Sequence, residues 1–255
     1  MVVLKERLVS ALDRVEFARE LGIVPDPWQA ALLSSTASRV LMNCSRQSGK
    51  SLMAALIALH RTLYHRGSLV LILAPSERQA KETFGKVASF YSQLGETVVP
   101  DSYRKMGMHL ANRSRVEALP GTEKTIRGFS GVDLLILDEA ARVDDELYFA
   151  VRPMLAVSGG ALIMLSTPAG QRGVFHEEWT NGTGWERYRV PASECPRISQ
   201  EFLEEERQSL PPWIFSQEYE CTFEETETTL FTSDMLDDAE FDDVPSLLGE
   251  EEGVA

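Results

Sequence analysis

RVLMNCSRQSGKSLMAALIALH, residues 39–60, is the stretch that decides the fold. Its opening, RVLMN, is short, β-rich and almost wholly apolar, as a strand covered on both faces of a parallel sheet should be. The run LMAALIALH that closes it is apolar at helical spacing. Between them lies a turn, Cys44-Ser45-Arg46-Gln47-Ser48-Gly49-Lys50-Ser51. A strand, a small polar turn and a helix make a ready site for a polyphosphate. Backbone N–H groups and the positive end of the helix dipole both face the anion there. Gly49 permits close backbone approach. Lys50 would reach the β- and γ-phosphates, and Ser51 would place its hydroxyl on Mg²⁺. Gly-Lys-Ser alone is a weak signal. Its place between an apolar strand and a helix makes it specific. One position departs from the phosphate-loop pattern, which begins with Gly and here has Cys44. A side chain there restricts φ and predicts a differently shaped loop.

Outward from this stretch, similar apolar runs recur at SLVLILA (68–74), DLLILD (133–138) and ALIMLS (161–166). Helical stretches separate them at about 50–65, 77–92 and 144–156. The alternation predicts an α/β fold of the P-loop NTPase type: a doubly wound, mainly parallel sheet with helices on both faces. MHLAN and SRVEAL, within 108–119, break the rhythm and read as an antiparallel hairpin turning at Asn112–Arg113. Leu4, Leu8, Leu12, Val15 and Leu21 recur at helical spacing and predict an amphipathic helix over about 5–20, followed by a loop, GIVPDPWQ. After Val190 the pattern turns helical. The expected organisation is an ATPase core over 1–194, a small helical lid or linker over 195–225, and an acidic tail over 226–255.

The strand at 133–138 ends in Asp138-Glu139. In a parallel sheet this puts two carboxylates at the C-terminal edge, beside the phosphate loop. Asp138 would join the Mg²⁺ shell, and Glu139 would orient and deprotonate the attacking water. Strand alternation would point the two side chains to different sides. Solvated acids capping a strand are the alternative, and the neighbouring phosphate loop argues against it.

Composition sets the outer limits. No apolar run is long enough to span a bilayer, and the N-terminus has no uninterrupted apolar segment that would read as a signal peptide. Cys44, Cys195 and Cys221 are widely spaced, which argues against a disulfide scaffold or a zinc site. The net charge is −14, but fourteen of the 39 acids lie at or after Glu218, where there is no Lys or Arg. The remaining 25 acids face 25 bases, so the body is neutral and neither demands nor excludes nucleic acid.

Taken together, SRQSGKS, LLILDEAA, LIMLSTPAG and WIFSQEYECTF resemble the large terminase subunits of tailed bacteriophages over about residues 20–225. The resemblance implies an ATP-hydrolysing, Mg²⁺-dependent motor domain that drives double-stranded viral DNA into a preformed capsid. Portal protein and a small terminase subunit would be its partners. It would work as a homo-oligomeric ring on the capsid and be a monomer in solution, without a membrane, in the host cytoplasm and transiently at the portal. The resemblance also assigns residues. Gln29 looks like an adenine-reading glutamine, and Arg46 like a phosphate-loop arginine sensing the γ-phosphate in cis. Ser45, Gln47 and Ser48 join Gly49, Lys50 and Ser51 in holding the nucleotide. Ser166 and Thr167 look like a coupling motif linking phosphate state to the lid. Arg127 is the first choice for an arginine finger supplied to a neighbour, with Arg142 and Arg152 as rivals that nearby acids could also engage.

Arg104, Lys105, Arg113, Arg115, Lys124 and Arg127 make 104–127 the most basic stretch, a candidate DNA or subunit contact. The family usually continues into a nuclease. The acids after Glu224 sit on no β-rich run, so no nuclease activity is expected of this chain. A helicase-like nucleic-acid-dependent ATPase is the nearest alternative, but little room remains for a second such domain. A nucleotide-binding switch without motor activity is the other, and Glu139 argues against it.

Overall fold

The computed structural model describes residues 8–95, 100–121, 126 and 128–225. Residues up to Glu224 form one compact unit, and Glu225–Ala255 form a separate one that lies, beyond Glu225, outside the described residues. The first unit is built on an eight-stranded sheet ordered β3-β4-β5-β2-β6-β7-β1-β8. Its strands are β1 (Arg39–Cys44), β2 (Leu69–Ala74), β3 (Pro100–Arg104), β4 (Gly107–Leu110), β5 (Arg115–Pro120), β6 (Leu134–Asp138), β7 (Ala161–Ser166) and β8 (Glu186–Val190). The run from β5 to β8 is parallel, and β3 and β4 add an antiparallel edge.

The apolar runs are continuous because both faces are covered. On β2, Val70, Ile72 and Ala74 enter one core, while Leu69, Leu71 and Leu73 enter the other. On β6 and β7 the same alternation sends Leu134, Ile136, Ile163 and Leu165 one way and Leu135, Leu137, Leu162 and Met164 the other. Helices α3 (Lys50–Tyr64) and α4 (Glu77–Gln93) cover the first face. Helices α5 (Asp145–Val151) and α6 (Gly173–Thr180) cover the second. Each buried Leu or Ile contributes roughly 1.5–3 kcal/mol, so the central strands anchor the sheet on which the site is mounted.

Three local expectations need correction. The N-terminal helix is not continuous over 5–20. Residues 8–12 are helical, and α1 (Arg14–Glu20) starts afresh because the Asp13 side chain accepts from Val15 N and Glu16 N as an N-cap. The apolar stripe therefore does not carry through: Leu12 is 81% exposed while Phe17 is fully buried. GIVPDPWQ is not all loop, since α2 (Pro27–Ser34) begins within it. Asp26 caps that helix, Pro27 takes its first position, and Gln29 completes a capping box. The helix expected over 144–156 stops at Val151 and tightens into a 3₁₀ turn over Arg152–Leu155. Pro153 lacks the N–H that the α-helix would need. The hairpin is present as β4 and β5, with Arg113 at φ 70° in its turn. After β8 come α7 (Gln200–Ser209) and α8 (Pro212–Tyr219), over the stretch expected to form a lid; they belong to the same compact unit as the sheet.

Candidate nucleotide site

The C-terminal ends of β1, β6 and β7 meet at one cavity of about 520 Å³, with β7 lying between the other two strands. Arg46, Gln47, Gly49, Lys50 and Ser51 line it from the phosphate loop, Glu139 and Arg142 from the turn after β6, and Thr167 from the end of β7. A second cavity of about 340 Å³ lies at the other end of the strands, near Arg14 and Arg61, and no residue of the phosphate loop lines it.

The loop is held internally. Ser45 N donates to Val190 O at 2.9 Å, and Ser48 Oγ donates to Ser45 O at 2.9 Å. Cys44 does not shape the loop as expected. It is the last residue of β1, fully buried in the core, and burial pushes its thiol pKa up. The left-handed conformations fall instead at Gln47 (φ 61°) and Gly49 (φ 92°). A Cβ on Gly49 would also stand 3.0 Å from Gln29 Nε2, so close approach requires glycine here.

Gln29 is buried beside the loop, and both ends of its amide are in use. Its Oε1 accepts from Asp26 N at 3.0 Å, and its Nε2 donates to Ser48 O at 3.4 Å. Arg197 makes the same brace from the lid side, donating to both Asp26 oxygens at 3.0 and 2.7 Å and to Ser48 O at 3.1 Å. In this arrangement Gln29 braces the phosphate loop.

The acids diverge, though not by strand alternation. Asp138 ends β6, whereas Glu139 lies beyond the strand in a left-handed conformation (φ 53°, ψ 45°). Non-glycine residues adopt this region rarely, and it concentrates at functional sites. Asp138 turns to Ser51 Oγ at 3.4 Å and accepts from Thr83 Oγ1 at 2.6 Å. Burial raises its pKa, the Thr83 hydrogen bond opposes the shift, and the neighbouring Glu139 charge adds to it. Its charge is therefore costly until a cation shares the site. Ser51 and Asp138 offer two adjacent hard oxygens, the donor chemistry that suits Mg²⁺, which takes few protein ligands and completes its shell from phosphate and water. The residues present fit that ion.

Glu139 faces the cavity between cations. Lys50 Nζ stands 3.6 Å from Oε1, Arg142 donates to Oε2 at 3.0 Å, and Ser166 Oγ donates to Oε2 at 3.4 Å. Arg142 also donates to Thr167 Oγ1 at 3.0 Å. Arg46 points to the lid rather than into the loop: its Nε is 2.5 Å from Glu218 Oε2, and this bond raises the Arg46 pKa. Arg142 shares the same carboxylate at 3.5 Å. Sequence reading missed Thr83, Arg197 and Glu218, which only tertiary packing brings here.

The remaining arginines divide. Arg152 lies by Glu178 at 3.9 Å and over the Tyr148 ring, away from the cavity lining. Arg127 and Lys124 lie outside the described residues. Arg104 ends β3, and Lys105, in the following turn, is 3.9 Å from Glu77. Arg113 sits in the turn at the other end of β4, and Arg115 lies over the Phe129 ring. Lys105 and Arg113 are thus at opposite ends of the hairpin and share no single patch.

A phosphate loop between a strand and a helix, with an acid-ended parallel strand of the same sheet at its side, marks the P-loop NTPases, and this chain is a domain of that class. The family model described as terminase large subunit, T4likevirus-type, N-terminal, matches residues 41–238. The chain therefore belongs to the terminase large subunit family. It is 28% identical over 259 residues to the large terminase subunit of Thermus phage G20c, covering 87% of this chain and 53% of that protein. It thus spans about half the length of the curated relatives it matches. The large terminase ATPase domain of Thermus phage P74-26 superposes with a TM-score of 0.73 at 26% identity, covering 82% of this chain and 97% of that one. The large terminase of bacteriophage D6E, solved with ATP-gamma-S, shares the fold at a TM-score of 0.64 and 12% identity, over 78% and 53% of the two chains.

Proposed function

We propose that this chain hydrolyses ATP with Mg²⁺ and uses the energy to drive double-stranded viral DNA into a preformed capsid. The observation that carries the reading is the convergence of Lys50, Ser51, Asp138 and Glu139 on one cavity at the sheet's C-terminal edge. Solved relatives described as an ATPase domain and as a complex with ATP-gamma-S support it. Portal protein, a small terminase subunit and a ring of like chains at the portal, in the host cytoplasm, complete the proposal.

The chemistry follows from the side chains. The loop's N–H groups and Lys50 bind the β- and γ-phosphates. Ser51 and Asp138 would hold Mg²⁺, which when bound spreads the charge of the reacting phosphates. Glu139 takes the proton of the attacking water. Lys50 engages one carboxylate oxygen until the phosphates draw it off, which frees that oxygen for water while Arg142 keeps the other. Arg46 and Arg142 are the cavity's link to the lid through Glu218.

The test is a packaging reaction with purified capsids carrying portal. The expected result is DNA that becomes nuclease-protected only with the chain and hydrolysable ATP. A chain that hydrolyses ATP yet never protects DNA would overturn the translocation part of the proposal.

If Arg127 is the finger supplied to a neighbour, specific activity should rise with protein concentration. Mixing Arg127→Ala with Glu139→Ala chains should restore part of the activity, because one interface of a mixed pair keeps both groups. Specific activity independent of concentration, with no restoration on mixing, would place the finger elsewhere.

A further inference from the structure

Arg142 lines the cavity together with Lys50 and Glu139, and its place follows from local structure. Glu139 opens a 3₁₀ turn, Ala140–Arg142, closed by Arg142 N donating to Glu139 O at 2.9 Å. In such a turn residues three apart stack above one another. The guanidinium is thereby returned over the carboxylate of the residue that begins the turn, at 3.0 Å. The same nitrogen reaches Thr167 Oγ1 at 3.0 Å, and the other terminal nitrogen lies 3.5 Å from Glu218 Oε1. One side chain therefore touches the proposed base, the end of β7 and the lid helix α8.

From this geometry we infer that Arg142 is a positioning residue acting within its own site: it sets the orientation of Glu139 and ties that orientation to Thr167. The inference rests on the ATPase reading of the site. Glu139 leaves β6 in a left-handed conformation, and its carboxylate is held from two sides, Lys50 on Oε1 and Arg142 on Oε2. Without Arg142, the strongest remaining partner is Lys50, which would pull the carboxylate toward the phosphate loop and away from the water it must activate. The guanidinium matters because its planar, pre-organised donors hold these contacts in one geometry, which a rotatable ammonium holds less firmly.

The experiment uses the full chain with R142A, R142K and R142Q. It measures equilibrium binding of ATP-γ-S, steady-state hydrolysis, and activity after mixing with Glu139→Ala chains. Melting curves confirm folding, and R142Q, which keeps a planar hydrogen-bonding end, serves if R142A does not fold. The expected result is a kcat lower by about 100-fold, the scale of a misplaced catalytic group. ATP-γ-S affinity should stay within about threefold, the loss of an uninvolved contact being under 1 kcal/mol. R142K should recover part of the rate. Mixing R142A with Glu139→Ala should restore nothing, because every site then lacks one of two groups that must share a chain. Restoration on mixing would make Arg142 a finger in trans and overturn the inference. So would a large loss of ATP-γ-S affinity at unchanged kcat, which would make it a phosphate ligand only. A wild-type chain that hydrolyses no ATP defeats the ATPase reading itself; an active wild type matched by R142A and R142Q defeats this inference alone.

Discussion

Glu139→Ala should still bind ATP-γ-S and should hydrolyse ATP about a thousandfold more slowly than the wild type. The size follows from the loss of a positioned general base, which contributes roughly 10²–10⁴ in rate. Binding should hold or tighten. Glu139 pairs with Lys50 at 3.6 Å, so its removal leaves that ammonium free for the γ-phosphate. Alanine keeps a left-handed residue at the head of the turn, with some strain. Glu139→Gly removes the base without that strain and should behave alike. Titration of ATP-γ-S alongside a phosphate-release assay separates the two effects. Turnover near the wild-type level in either variant would mean that another group activates the water.

Lys50→Ala should act at the other step, weakening ATP-γ-S binding by about 10–100-fold. That range corresponds to one charge-assisted hydrogen bond of roughly 1.5–3 kcal/mol. Lys50 is 7% exposed, and Glu139 is its ion-pair partner. Because Glu139 keeps Arg142 and Ser166, the substitution strands no buried charge, and the fold should survive it. Lys50→Met keeps the apolar stem and controls for lost packing. The pair of variants is read by equilibrium titration together with melting curves. Affinity unchanged in both would place the phosphates away from Lys50.

The parts of the fold legible in the sequence were those whose residues answer to one local rule. β1, β2, β6 and β7 stand out because both faces of each are buried and nearly every position is apolar. The edge strands did not. β8, ERYRV, alternates exposed and partly buried residues, as edge strands protected by charge do, and reads as polar chain. β3, PDSYR, is masked in the same way by its polar composition. The helix that carries Gln29 is legible in Asp-Pro-x-Gln, a capping box with proline at the first turn, although its composition reads as loop.

At the site, spacing was enough for Lys50, Ser51, Asp138 and Glu139, which lie at the ends of recognisable strands. The environment of each was not. Arg46 meets Glu218 across 172 residues of sequence, and Arg197 reaches Ser48 across 149. Nothing periodic announces such contacts. In the sequence Arg142 is one arginine among several near acids; the 3₁₀ turn that folds it back on Glu139 decides its place.

The most direct measurement is a crystal structure of the chain with Mg²⁺ and ATP-γ-S. The expected result is a triphosphate seated on residues 45–51, its γ-phosphate beside Lys50 and Glu139, with the metal between Ser51 and Asp138. A nucleotide bound elsewhere, for instance in the cavity by Arg14 and Arg61, or on the loop with the metal away from Asp138, would contradict the account.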